Sequence, residues 1–261
     1  MNLSLLNKNA LVGGASAGIG RAVAVELAAL GANVYLLARQ DTKLIEAMLT
    51  LDTSQGQKHD YVVADYSDGL TLQTRVEALL ENLNIHILVN NTGGPPGGPI
   101  TEALSKHFSQ AYHNHLICNQ ILAQAVLPGM KSEGYGRIIN IISTSVKEPL
   151  EGLGVSNTTR WAVAAWAKTW ANEVGQFGIT VNNVLPGFTR TGRLEEIIEK
   201  RATANEATTE SVENQFKSQV PMRRFAEPAE VAAAVAFLAS PAASYINGIN
   251  LPVDGGRTRS L

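Results

Sequence analysis

Gly14, Gly18 and Gly20 stand in a G-x-x-x-G-x-G spacing between a short apolar run, Ala10 to Val12, and an amphipathic helical pattern. Glycine at such a bend lets the chain turn tightly and lets main-chain amides approach a ligand closely. The helix that follows presents unpaired N–H groups, which suit a diphosphate. Taken alone the spacing is a weak signal, because glycine turns are common. Its place directly after the first strand pattern strengthens it. A second apolar run, Asn33 to Ala38, leads into Arg39, and Asp41 is the first carboxylate beyond it. An acidic residue at that point accepts the ribose hydroxyls of NAD, whereas an arginine fork binds a 2′-phosphate. The charge therefore predicts NADP(H) as the preferred dinucleotide, with NAD(H) second. The competing reading of Arg39 is a solvated turn residue.

The elements that must position these groups alternate along the chain. After the glycine turn, Ile19, Val23, Leu27 and Leu30 share one helix face, and Gly31 ends the helix. The strand Asn33 to Ala38 is followed by helix 42–51, strand 60–64, helix 70–83 and strand 85–89. A Gly/Pro-rich loop, Gly93 to Pro99, reads equally as a plain connection or as a wall for a substrate. Next come a helix over 105–130, a strand over 137–142, a helix over 155–175, a strand over 180–185, a helix over 228–239 and a short strand over 250–253. This alternation predicts one α/β domain over residues 1–261, a Rossmann-type doubly wound parallel sheet in three α/β/α layers.

Five motifs in order carry a resemblance to a known family: GGASAGIG (Gly13 to Gly20), NNTG (Asn90 to Gly93), LPGFTRT (Leu185 to Thr191), RFAEPAEVA (Arg224 to Ala232) and YINGINLPVDGG (Tyr245 to Gly256). They span nearly the whole chain, which resembles a short-chain dehydrogenase/reductase close to the 3-oxoacyl-(acyl-carrier-protein) reductases. Gly13 stands where that family has threonine. The resemblance implies that Gly14, Ser16, Gly18, Ile19 and Gly20 hold the pyrophosphate. It places Asp65 at the adenine, Asn91 and Gly93 beside the adenosine, and Pro186, Gly187 and Thr189 against the nicotinamide.

At the catalytic positions the pattern breaks. The family reduces a ketone with hydride from the cofactor and a proton from a tyrosine that precedes a lysine by four residues, on one helix face. The lysine grips the nicotinamide ribose and lowers the tyrosine pKa, while a serine polarises the carbonyl. Ser143 matches that serine, but the tyrosine and lysine positions are Ser156 and Arg160, and the helical asparagine position is His115, beside Asn114. Arg160 keeps the charge and can still hold ribose hydroxyls. An aliphatic hydroxyl at Ser156 is shorter by a ring and a far weaker acid than a phenol of pKa ~10. Three substitutes for the proton source suggest themselves: His115, whose side-chain type titrates near neutrality; a water oriented by Ser143; or Tyr112. Ser156 itself stays, with His115, a candidate for proton delivery. His115 has a competing reading as a hydrogen-bonded structural residue. The same S-N-x-x-R replacement with a GGPP-type loop occurs in a subgroup resembling the acyl-carrier-protein reductases.

The expected function is NADP(H)-dependent interconversion of a ketone and a secondary alcohol, with a small carbonyl or alcohol substrate and a 3-oxoacyl thioester as one candidate. The alternative is a dinucleotide-binding sensor or partner subunit with little turnover. Residues near 190–220 fall where the family places its substrate lid, and Leu194, Ile197 and Ile198 form a short apolar stripe there. Trp161, Trp166 and Trp170 are expected in the core and at a subunit interface, since the family packs that helix between protomers of a homotetramer or homodimer.

Composition excludes several other classes. A formal charge of −2 without a basic stripe argues against nucleic acid. No apolar run reaches the roughly 20 residues that span a bilayer, and the N-terminal residues lack the order of a secretory signal. Cys118 alone supports no disulfide framework, suits a reducing cytoplasm and reads as a small buried hydrophobe. No metal site is expected.

Overall fold

The computed structural model describes residues 1–260. Among these, seven parallel strands form one sheet: β1 (Asn9–Gly13), β2 (Asn33–Ala38), β3 (Asp60–Val63), β4 (Ile87–Asn90), β5 (Gly136–Ile141), β6 (Ile179–Pro186) and β7 (Asn250–Val253). Their order is β3-β2-β1-β4-β5-β6-β7, so the winding reverses between β1 and β4. In open α/β sheets such a reversal opens a crevice beyond the carboxyl ends of the strands, where ligands bind.

Period-two alternation sends successive strand residues to opposite layers. Ala10, Val12, Val34, Leu36, Ile87, Val89, Ile139 and Ile141 pack against α1 (Gly18–Ala29), α2 (Asp41–Met48) and, further along the chain, α9 (Pro228–Ala239). Leu11, Leu37, Leu88 and Ile138 point the other way, onto α3 (Gly69–Leu80), α5 (Cys118–Glu133) and α6 (Gly154–Val174). The expected three layers are all present. Helix and strand limits shift by up to three residues from the sequence reading.

The expected continuous helix over 105–130 is a larger departure. α4 (Ser105–Tyr112) passes into a π-helical turn, His113–Ile117, before α5 begins. The extra residue per turn rotates this segment relative to a regular helix, and such turns are common at functional sites. The remaining helices, α7 (Gly192–Ala204) and α8 (Thr209–Ser218), form a small unit of their own over residues 192–218. Leu194, Ile198 and Ala202 pack there against Val212, Phe216 and Phe225, while Ile197 is partly buried.

Candidate active site

The glycine turn is required sterically. Gly14 has φ +58, and a Cβ there would lie 2.6 Å from the Asn91 amide nitrogen. Gly18 also has a positive φ, of +56, and a Cβ on Gly20 would collide with the Gly14 carbonyl. α1 begins at Gly18 behind Ala17, with no side-chain cap and no acidic residue in its first turn. Its leading amides are therefore left for an anion. Asn91, expected beside the adenosine, also serves the loop. Its side chain turns under the loop and donates to the Gly13 carbonyl at 3.1 Å, which braces the turn. The space beside Gly13 is taken by the Tyr66 hydroxyl, which leaves no room for the threonine of the family pattern.

Two clefts meet at the carboxyl edge of the sheet and share Gly94. The smaller, about 510 Å³, lies over β1 to β3 and is lined by Gly14, Ser16, Arg39, Asp65 and Gly93, together with Lys43 and Asn114. Arg39 Nη1 lies 3.8 Å from Asp65 Oδ2, and both side chains are largely exposed. An exposed pair of this kind is weakly held, so an incoming phosphate can compete for the arginine. Lys43 adds a second cation that the strand-end reasoning missed; it lies on α2 just past Asp41 and lines the same cleft as Arg39.

The larger cleft, about 750 Å³, lies over β4 to β6 and carries Ile19, Ser143, Pro186, Gly187 and Thr189. The Ser143 Oγ accepts from the Ser145 amide at 3.1 Å, which leaves its O–H proton free to donate into the cleft. A Cβ on Gly187 would sit 2.7 Å from Asp254 Cα, so glycine is needed there. Thr189 is buried and donates to the Gly187 carbonyl at 3.2 Å, which holds the segment in shape. Gly94, Pro96 and Gly97 line this cleft, which favours the wall reading of the Gly/Pro loop. Arg193 on α7 donates to the Pro95 carbonyl at 3.0 Å and ties the α7–α8 unit to that loop.

The three replaced positions sit behind this surface. Arg160 is buried, donates from Nη1 to the Ile141 carbonyl at 3.1 Å, and has an Nε without a partner. Burial lowers its pKa to about 10, which leaves it charged at neutral pH. Ser156 is half-buried and outside the residues that line either cleft. His115 is buried within the π-helical turn. Desolvation first, then the Arg160 charge, hold its imidazole down to about 2, against a hydrogen bond with the Gly93 backbone that works the other way. The near-neutral titration expected of it is therefore corrected: His115 is neutral and offers hydrogen bonds, not an acidic proton.

Other side chains settle into structural positions. Tyr112 is 47% exposed on α4 and lines neither cleft. Cys118 is buried, with Sγ on the Tyr66 carbonyl at 3.1 Å and a pKa pushed up to about 12 by desolvation. Trp166 and Trp170 both donate to Gln120 Oε1, at 2.7 and 3.0 Å, and join α6 to α5. Trp161 faces outward and is half exposed. Among the described residues, no helix is long and apolar enough to cross a membrane.

A family model described as enoyl-(acyl carrier protein) reductase matches residues 14–258. The chain is 34% identical over 265 residues to a 3-oxoacyl-(acyl-carrier-protein) reductase of Vibrio cholerae, covering 97% of this chain and 98% of that one. A tropinone reductase homolog of Arabidopsis thaliana is 33% identical over 259 residues, covering 97% and 76%. The solved structure of L-sorbose reductase from Gluconobacter frateurii, in complex with NADPH and L-sorbose, matches with a TM-score of 0.94 at 31% identity over all of both chains. An actinorhodin polyketide ketoreductase variant with NADPH matches with a TM-score of 0.90 at 30% identity, covering 97% of each chain.

Proposed function

The chain belongs to the short-chain dehydrogenase/reductase family, and from that premise we propose that it is an NADPH-dependent reductase of a small ketone, able to run in reverse on the secondary alcohol. One observation carries the reading. The glycine cradle at the β1–α1 turn opens through Gly94 into the cleft that holds Ser143, so one groove can seat a dinucleotide and its substrate. The adenosine and nicotinamide halves would fall on opposite sides of the point where the sheet reverses.

In this reading Gly14, Ser16, Gly18, Ile19 and Gly20 hold the pyrophosphate against the first turn of α1. Asp65 and Gly93 lie beside the adenosine, and Arg39 with Lys43 binds the 2′-phosphate. Pro186, Gly187 and Thr189 shape the nicotinamide end. When bound there, NADPH would supply hydride for the carbonyl carbon. Ser143 donates a hydrogen bond to the carbonyl oxygen and stabilises the charge that develops there. The buried Arg160 contributes fixed positive charge behind the nicotinamide ribose and adds to the desolvation that keeps His115 neutral. With no phenol at position 156, water held at Ser143 delivers the proton, and Ser156 shapes the wall behind Leu153.

The Vibrio cholerae and actinorhodin relatives make a 3-oxoacyl thioester a first substrate to try. We also place the protein in the cytoplasm and propose that it assembles as a homodimer or homotetramer through the face that exposes Tyr112, Ile117 and Trp161. Light scattering reads the assembly. The activity is tested by following oxidation of NADPH, and separately of NADH, across simple ketones and 3-oxoacyl thioesters. Consumption of NADPH ahead of NADH with at least one carbonyl supports the assignment. Tight NADPH binding with no consumption across the panel refutes it.

A further inference from the structure

Arg257, just past β7, reaches back into the larger cleft and lies beside the residue that follows Ser143. Its Nη1 is 3.5 Å from Thr144 Oγ1, a contact too long to hold the guanidinium strongly. The guanidinium carbon lies 4.5 Å from the centroid of the Phe188 ring, so the plane rests on an aromatic face with its N–H edge left over. Among the described residues it forms no ion pair. The nearby Asp254 has both carboxylate oxygens engaged by the chain, accepting from the Gly256 amide at 3.0 Å and the Thr258 amide at 2.8 Å. Glu148 and Asp254 both act on Arg257 through their fields, without a hydrogen bond to the guanidinium. A partly desolvated cation with five donors and no carboxylate on them is a poised anion receptor.

The rest of the cleft wall carries the same bias. Lys200 and Arg201 of α7 line it and also form no ion pair among the described residues. Two carboxylates face the same space. Glu196 is taken up by Arg193 at 3.4 Å, which leaves Glu151 as the one opposing charge on the wall. The uncommitted cations thus outnumber the uncommitted carboxylates, and Arg257 is the one at the reacting end.

We propose that Arg257 is a specificity-determining residue that reads a carboxylate, and that the substrate is a short-chain oxo acid. Its carboxylate sits on the Arg257 guanidinium while its carbonyl oxygen faces Ser143. Turnover in this picture rests on the reductase reading above: an oxo acid, NADPH and a proton give the hydroxy acid and NADP⁺, with the hydride on carbon and the proton on oxygen. The binding site itself does not depend on turnover.

The test separates the two. The protein is saturated with NADP⁺, so that no reduction occurs, and titrated by calorimetry with pyruvate and levulinate and with their ethyl esters. At least one acid is expected to bind about tenfold or more tightly than its ester, the scale of a hydrogen-bonded charge. Arg257→Gln should abolish that gap and Arg257→Lys should keep part of it. Added salt should weaken the acid and leave the ester unaffected, a readout on the native protein that holds even if the variants fold poorly. Acid and ester binding equally, or a gap that survives in Arg257→Gln, overturns the proposal. An acid that binds tightly yet is never reduced by NADPH overturns the reductase reading and leaves the carboxylate site standing.

Discussion

Asn140 on β5 donates its side-chain amide to Asn183 of β6 at 2.8 Å, and the two residues are register partners. The pairing repeats outward. Asn90 on β4 donates to Asn140, and Asn183 donates to Asn250 on β7, each at 2.8 Å. Four neighbouring strands are thus cross-linked by one amide ladder that runs from the last residue of β4 through β5 and β6 to the first residue of β7. A one-residue slip of any of these strands would break it and turn every side chain to the wrong layer.

Asn140→Leu should therefore destabilise the fold although leucine is the more hydrophobic residue. It leaves the Asn90 donor and the Asn183 acceptor buried without a partner, at a cost of about 3 kcal/mol. Urea unfolding reads this as a lower midpoint with an unchanged slope. An unchanged midpoint would mean that the ladder is incidental to register.

Gly20→Ala would press a methyl group against the Gly14 carbonyl and within 2.8 Å of the Asn91 amide nitrogen. The loop must shift, and the leading amides of α1 lose their alignment. NADPH affinity should fall by about tenfold or more, with the far-ultraviolet circular dichroism unchanged. Full affinity in this variant would place the pyrophosphate elsewhere.

Arg39→Ala should weaken NADPH by about tenfold and leave NADH nearly as it was, because only the former carries the phosphate that the fork would bind. Lys43, left in place, keeps part of the preference. An equal loss for both coenzymes would make Arg39 a general contributor and not a reader of the phosphate.

His115 carries a prediction about acid stability. Its pKa is about 2 in the folded protein and ordinarily about 6.5 when unfolded. Below ~6.5 the unfolded chain takes up a proton that the native chain refuses, so stability falls as pH drops, by up to about 1.4 kcal/mol per unit from this residue. His115→Gln should flatten the fall between roughly pH 6 and pH 4. A slope unchanged by the substitution would show that the imidazole is protonated in the native state.

Much of this arrangement can be read from the chain, because glycine and apolar periodicity are local signals. The alternating runs place β2, β7 and α9 at their observed limits, and the Gly14 to Gly20 spacing marks the cradle. What escapes is anything decided by a change of phase or by distance along the chain. A π-helical turn at His113–Ile117 reads as ordinary helix in sequence, yet it contributes to the burial of His115. The ladder asparagines stand in or beside the predicted strand runs with nothing local to show their role, since their partners lie on other strands. Asn91 matches its motif but faces the loop, and Arg257 follows the last motif with nothing nearby in sequence to tie it to Ser143.

The most direct test compares native protein and Ser143→Ala for kcat/KM on a reducible ketone, with NADPH affinity measured in parallel. The account predicts measurable reduction by the native protein, a loss of about a hundredfold in the variant, and unchanged affinity for NADPH. A variant that reduces the ketone as fast as the native protein would contradict it.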